Sequence, residues 1–398
     1  MRSYFPRPWA FLALFIAAGV HAQPAPSLRE ATEAAWSLTP QARAAQQRQA
    51  ELDARGRAAA SFLAGPPSVG LSHRTDRVGS NGGLRETEAE LSAPLWWPGV
   101  RSATAAQVDA DRAALERQQL LAKAKVAADV RDLAAQSALA QIERQVALRK
   151  AEEAKSIAAD VSRRVKAGES ARVDQLQAEG ILHQAAAAQS QAEAALARLQ
   201  AQWRALTGMD RIAPLDEAAG QPAESMAVAA AQATVRAAQA KLQLTAADRR
   251  DPLEVGVGVT SERPAFGAVN ERSIKLSLRV PLGSDGRNAP KLAAARAELD
   301  AAEAEADAAQ RVAEAERTAA ASEMEAARRA EAAAAQRARL AGEVQALIAK
   351  SYRLGESDLP TRLRAETERF EAELAHARAQ VETRRAISKL NQAYGLLP

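Results

Sequence analysis

Cysteine is absent from all 398 residues. No disulfide can brace the chain, and no thiol can carry a lipid or ligate a metal. Aromatic residues make up only 4%, too few for a conventional core of large side chains, whereas alanine is abundant, favours helix and lets helices approach closely. Long apolar runs are also missing. The best, from about residue 10 to 20, is roughly half the ~20 residues that a membrane-spanning helix needs. With Arg2 and Arg7 around it and Val20-His21-Ala22 behind it, this run reads as a secretory signal over residues 1–22, and the mature chain is expected to start at Gln23. Neither charge sign dominates, since 53 Lys and Arg face 49 Asp and Glu. The charges are mixed along the chain with no basic patch interleaved with aromatics, which excludes nucleic-acid binding. The mature chain has three isolated histidines, His73, His183 and His376, and no spacing that would converge zinc or copper ligands. Ser170 and Ser357 have no histidine nearby in sequence to activate them. The expectation is therefore no enzyme, no cofactor and no metal site.

What the chain does have is a duplication. Lys166-Ala-Gly-Glu-Ser170 recurs as Arg353-Leu-Gly-Glu-Ser357, and Gly168 and Gly355 lie 187 residues apart. At that same spacing Leu176 meets Leu363, Glu179 meets Glu366, Arg198 meets Arg385 and Gly208 meets Gly395, while upstream Pro94, Leu95 and Gly99 meet Pro281, Leu282 and Gly286. Internal repeats of this size are read before any local motif. The resulting division is a first repeat over 23–210, with a strand pair at 67–95 and a helical hairpin at 101–208, and a second over 211–398, with a strand pair at 252–282 and a hairpin at 291–395.

From Arg101 to about Lys166 there is neither proline nor glycine, and from Lys291 to Leu354 only Gly342 intervenes. At 1.5 Å per residue each run predicts a helical rod about 100 Å long. The Gly-Glu-Ser triplets then mark helix-to-helix turns, Gly168 and Gly355 closing one helix in the left-handed conformation, Ser170 and Ser357 capping the next. The return helices, about 171–206 and 358–394, cover little more than half of each rod. Shorter segments at about 27–62, with a break at 36–40, and 224–249 can supply the remainder. The connector between the copies is 209–222.

Each copy also carries a strand pair. Thr87, Ala89, Leu91, Ala93 and Leu95 alternate with Glu86, Glu88, Glu90 and Ser92, and Ile274, Leu276, Leu278 and Val280 alternate with Ser273, Lys275, Ser277 and Arg279, a period of two. Preceding partners are Val69-Gly70-Leu71 and Val255-Gly256-Val257. Alternation of this kind also marks half-buried strands of a soluble sheet. No sequence is left over, however, for a helical layer to cover these faces, so a membrane β-barrel is the better reading. Four strands fall short of the eight of the smallest usual barrel, which calls for several chains.

In this order of elements the chain resembles the TolC family of outer-membrane efflux proteins. The resemblance is carried by the duplicated strand-helix-turn-helix unit, the Pro-Leu strand ends (Pro94-Leu95, Pro281-Leu282), and the turn Tyr352-Arg-Leu-Gly355-Glu-Ser357 followed by Leu363 and Ala365. It looks closest to the branch serving heavy-metal pumps of the cobalt-zinc-cadmium type. The resemblance implies a mainly α protein with transmembrane β structure: a homotrimer whose long coiled-coil hairpins form a periplasmic α-barrel and whose chains give four strands each to a twelve-stranded β-barrel. It places the protein in the outer membrane of a Gram-negative bacterium, in contact with outer-membrane lipid. It makes it a passive conduit for small solutes, metal cations or drugs, with a periplasmic adaptor and an inner-membrane pump of the RND type as partners.

The same resemblance assigns sites. The periplasmic tip that meets the adaptor corresponds to Gly168, Glu169, Ser170, Gly355, Glu356 and Ser357. The tunnel constriction corresponds to Asp174, its repeat mate Thr361, and Arg364; the last two stand where better-known members have acidic residues. Glu86, Glu88, Glu90, Lys275 and Arg279 are expected to line the barrel lumen. The rival from another class is a periplasmic coiled-coil adaptor or structural protein, which would share signal and hairpins but ordinarily carries compact β-rich modules rather than single strand pairs.

Overall fold

The computed structural model describes residues 25–283 and 285–398; the expected signal segment lies outside the described residues. The element order is α1 (Leu28–Leu38), α2 (Pro40–Ala60), β1 (Ser68–Thr75), β2 (Arg85–Leu95), α3 (Val100–Lys166), α4 (Arg172–Thr207), α5 (Met226–Ala247), β3 (Leu253–Arg263), β4 (Glu271–Arg279), α6 (Asp285–Arg353) and α7 (Leu359–Ala393). The rods α3 and α6 have 67 and 69 residues, and the return helices α4 and α7 have 36 and 35. Glycines 187 apart do the same task in each copy: Gly168 and Gly355 turn the hairpins at φ +79° and +77°, and Gly208 and Gly395 end the return helices at +72° and +75°.

Local chemistry sets most helix ends. Ser27 and Glu30 form a reciprocal capping box at the start of α1. The break expected over 36–40 narrows to Thr39, whose amide closes α1 on the Trp36 carbonyl while its Oγ1 accepts from the Ala42 N–H, with Pro40 opening α2. The second rod starts earlier than Lys291, at Asp285, with Pro290 inside its second turn. The serine caps are a correction. Helix α4 is capped at Ala171, whose N–H donates to Asp174 Oδ2 at 3.3 Å, and α7 at Asp358, whose Oδ1 accepts from the Thr361 N–H at 3.0 Å. Ser170 and Ser357 stand one residue too early to reach the free amides of the next helix.

The helices pack side by side. In sequence of contact, α4 with α1 lies on α3, α3 lies on α5 and α7, and these lie on α6. The interface is largely alanine (Ala127, Ala134, Ala135, Ala140, Ala154 and Ala158 on α3), so the axes approach closely and the buried stripe stays thin. Helices α3 and α7 run antiparallel, tied by Arg385–Asp132, Arg378–Glu143, Arg149–Glu373 and Arg362–Glu153. Such partly exposed pairs are worth only about 0–1 kcal/mol each and fix register more than stability. Larger side chains collect midway, where Trp203, fully buried, donates Nε1–H to the Arg211 carbonyl and packs with Leu28, Val130 and Leu215. The first rod leans on this knot, since α1, α3, α4 and the connector all enter it.

The four strands form one antiparallel sheet in the order β1-β2-β3-β4, so the two repeats join through β2 and β3. Its register runs rows of equivalent residues across both copies. Val69, Leu91, Val257 and Leu276 form one row; Leu71, Ala89, Val259 and Ile274 form another. Among the described residues no helix is long and apolar enough to cross a membrane.

Candidate conduit

The two faces of the sheet are chemically opposite. One carries the valine, leucine and isoleucine rows, and these side chains are bare: Leu71 is 78% exposed, Ile274 77% and Leu276 80%. Covering such a side chain is worth about 1.5–3 kcal/mol. A face of about ten of them left in water is a large unmet demand. The other face carries Glu86, Glu88, Glu90, Lys275 and Arg279, which the structure brings together. Lys275 Nζ lies 2.9 Å from Glu88 Oε1, Ser277 Oγ lies 2.5 Å from Glu90 Oε1, and Arg279 pairs with Glu254 at 3.2 Å. Gly256 stands beneath Glu90, where any Cβ would collide with the Glu90 carboxylate and Ser277 Oγ. Glycine there keeps the polar face open to the longer charged side chains.

At the far end of the rods, about 100 Å away at 1.5 Å per residue, the two turns sit side by side. Ile157, Ala158 and Val161 of α3, Ala178 of α4, Tyr352 of α6 and Leu359 of α7 share one apolar cluster. Each turn closes in the same pattern, the Glu169 N–H donating to the Arg164 carbonyl at 2.8 Å and the Glu356 N–H to the Ser351 carbonyl at 3.0 Å. Gly168, Glu169, Gly355 and Glu356 are exposed at the tip, with Ser170 and Ser357 half-buried behind them. Nothing approaches within 4 Å of where a Cβ would stand on Gly168 or Gly355. The glycines are required by backbone conformation alone.

Just behind the tip, Asp174 and Thr361 are half-buried in the first turns of α4 and α7, and Arg364 is exposed one turn further. Asp358 has its carboxyl held below the usual range by the Thr361 side-chain hydroxyl and backbone N–H, with a smaller contribution from Arg364. Among the described residues no group of His, Cys, Asp and Glu could hold a metal ion.

The model of the family described as outer membrane efflux protein matches residues 222–396, most of the second copy. That stretch of the chain carries the family's unit. The first copy has the same order of strand pair, long rod and return helix, with α1 and α2 standing where the second copy has the single helix α5. Solved channels share the fold. The open-state MtrE outer membrane channel of Neisseria gonorrhoeae is 18% identical with a TM-score of 0.74, covering 93% of this chain and 89% of its own. The Vibrio cholerae outer membrane protein VceC is 15% identical with a TM-score of 0.73, covering 92% and 96%. CusC is 16% identical with a TM-score of 0.74, covering 93% and 92%. At these identities the likeness is one of fold. No curated protein sequence matches the chain.

Three features of the chain leave no signal in local sequence pattern. Tyr352, 6% exposed, has the guanidinium groups of Arg164 and Arg362 each 4.9 Å from its ring centre, joining α3, α6 and α7 just behind the tip. Its repeat mate is Val165, so symmetry gave no signal. Arg131 is buried at mid-rod, its Nη2 2.6 Å from Glu217 Oε1 and 3.2 Å from the Leu396 carbonyl, locking connector and chain end onto α3. Trp96 and Trp97 donate ring N–H groups to the carbonyls of Ser61 and Asp251 at the base of the sheet. Partners 35 and 154 residues distant in sequence leave no local pattern to read.

Proposed function

We propose that three copies of the chain close a twelve-stranded barrel in the outer membrane of a Gram-negative bacterium and a helical tunnel in the periplasm. The observation that carries this is the sheet. The outer edges of β1 and β4 are both unpaired among the described residues, one face is apolar and bare, and the other is lined with charge. An open apolar sheet is stable in lipid only when its edges are closed by further strands. The outer flank of α6 supports the same closure, with Val312, Leu340, Val344 and Leu347 exposed where a neighbouring copy would lie.

In this reading residues 23–210 and 211–398 are two efflux repeats, and Glu86, Glu88, Glu90, Lys275 and Arg279 line an aqueous lumen. Gly168, Glu169, Ser170, Gly355, Glu356 and Ser357 meet a periplasmic adaptor coupled to an inner-membrane pump of the RND type. Asp174, Thr361 and Arg364 form the narrow mouth, where three copies of Asp174 and Arg364 would set rings of opposite sign. The protein performs no chemistry; small solutes, metal cations or drugs, move by diffusion once the pump has delivered them. The test is fractionation of cells expressing the chain, with electrophoresis of heated and unheated samples. An outer-membrane species that migrates as a trimer until boiled is expected. Recovery as a soluble monomer would overturn the barrel.

A further inference from the structure

At the base of the sheet, where the apolar rows end, a cleft of about 300 Å³ opens between β2, the end of α5 and the starts of α3 and α6. Its walls include Trp96 and Trp97 from the first copy and Arg249, Arg250, Arg287 and Lys291 from the second. The opposing carboxylates are Asp248 and Asp251, so four cations against two anions leave an excess of +2. Asp251 is taken by Arg287, whose guanidinium grips it with two hydrogen bonds of 2.6 and 2.9 Å, and that grip holds the Asp251 carboxyl below its usual range. Arg249, Arg250 and Lys291 have no carboxylate within ion-pair distance among the described residues. Arg250 instead lies over the Trp97 ring, 5.0 Å from its centre.

The positive charge is not a legacy of the repeat. At the 187-residue spacing Arg249, Arg287 and Lys291 correspond to Phe62, Val100 and Thr104. The second copy alone has acquired cations here, beside tryptophans that only the first copy supplies. Tryptophan prefers the membrane–water boundary, where its ring is apolar and its N–H wet. Guanidinium and ammonium groups at that level attract the phosphate oxygens of an anionic surface.

We propose that this cleft is a binding site for the phosphate headgroup of an anionic phospholipid in the periplasmic leaflet, one per chain. Arg249, Arg250 and Lys291 receive the phosphate, and Trp96 and Trp97 flank the glycerol. The proposal rests on the outer-membrane reading above. The site would fix the depth of the barrel at the level where strands give way to rods.

The test uses the full-length channel purified in a mild detergent, with phosphatidylglycerol or phosphatidylcholine added, and native mass spectrometry counting retained lipids. Wild type should retain phosphatidylglycerol at least tenfold over phosphatidylcholine. The triple variant Arg249→Gln, Arg250→Gln, Lys291→Gln should lose that preference while remaining a heat-modifiable trimer, since all three side chains are exposed. Equal retention of the two lipids by wild type, or an undiminished preference in the variant, overturns the proposal. So does displacement of phosphatidylglycerol by millimolar glycerol phosphate, which would mark a site for soluble anions. Absence of any trimer in wild type would condemn the barrel reading instead, so the two failures are distinguishable.

Discussion

Placing a lysine at Leu276 tests the lipid face most directly. Leu276 lies in the row Val69, Leu91, Val257, Leu276, with a row of the same kind above and another below formed by Ala93, Val255 and Leu278. It therefore sits near the middle of the apolar band. A lysine at the bilayer midplane of a barrel costs about 2–4 kcal/mol, and three copies would bring the penalty to roughly 6–12 kcal/mol per trimer on that figure. Folding stabilities are only about 5–15 kcal/mol per domain, so Leu276→Lys should lose most of its trimer in the outer-membrane fraction. The control is Ser273→Lys, on the same strand but the polar face opposite Thr260, which should assemble as wild type does. Urea-dependent folding into vesicles, read by heat-modifiable mobility, gives the difference between the two. Equal assembly of both variants would refute the assignment of faces, and better solubility of Leu276→Lys as a monomer would show that the face meets water.

Other consequences follow from the rods. Arg131→Met leaves Glu217, 12% exposed at its side chain, without its cation; the cost should be about 3–5 kcal/mol, and Arg131→Met with Glu217→Leu should recover most of it in denaturant titration. Gly168→Val and Gly355→Val each cost about 1–2 kcal/mol through backbone strain, because their Cβ sites are empty; the double variant should insert normally but lose efflux, and full efflux would count against the tip. The Asp358 cap, whose carboxyl is depressed, contributes stability that is intact above the ordinary aspartate range and is lost as pH falls through its lowered value. The stability difference between wild type and Asp358→Ala should therefore hold steady from neutral pH to about pH 5 and shrink only in stronger acid.

Much of the architecture was written in local pattern. A rod of 67 residues without proline or glycine has no competing structure, and period-two alternation flanked by glycine loops can only be strand. The turns at Gly168 and Gly355 were legible because a positive φ demands glycine. The caps were misplaced by one residue because only the backbone path decides that Ala171 and Asp358, rather than the serines before them, stand at the first free amides. At the site, the lumen candidates share one face as alternation requires. Alternation is silent, however, on which edge meets which, and the junction of β2 with β3 came only with the fold.

The sequence by itself determined two copies of a helical hairpin and four amphipathic strands, because helix and strand periods act over a few residues and each copy checks the other. Tertiary structure decided what depends on distant parts of the chain meeting. It set Tyr352 between two arginines from other helices, buried Arg131 against a connector 86 residues on, and gathered the tryptophans of one copy with the cations of the other. The physical reason is range: a side chain's period is fixed by its own backbone, whereas its electrostatic partner is fixed by the path of the whole chain.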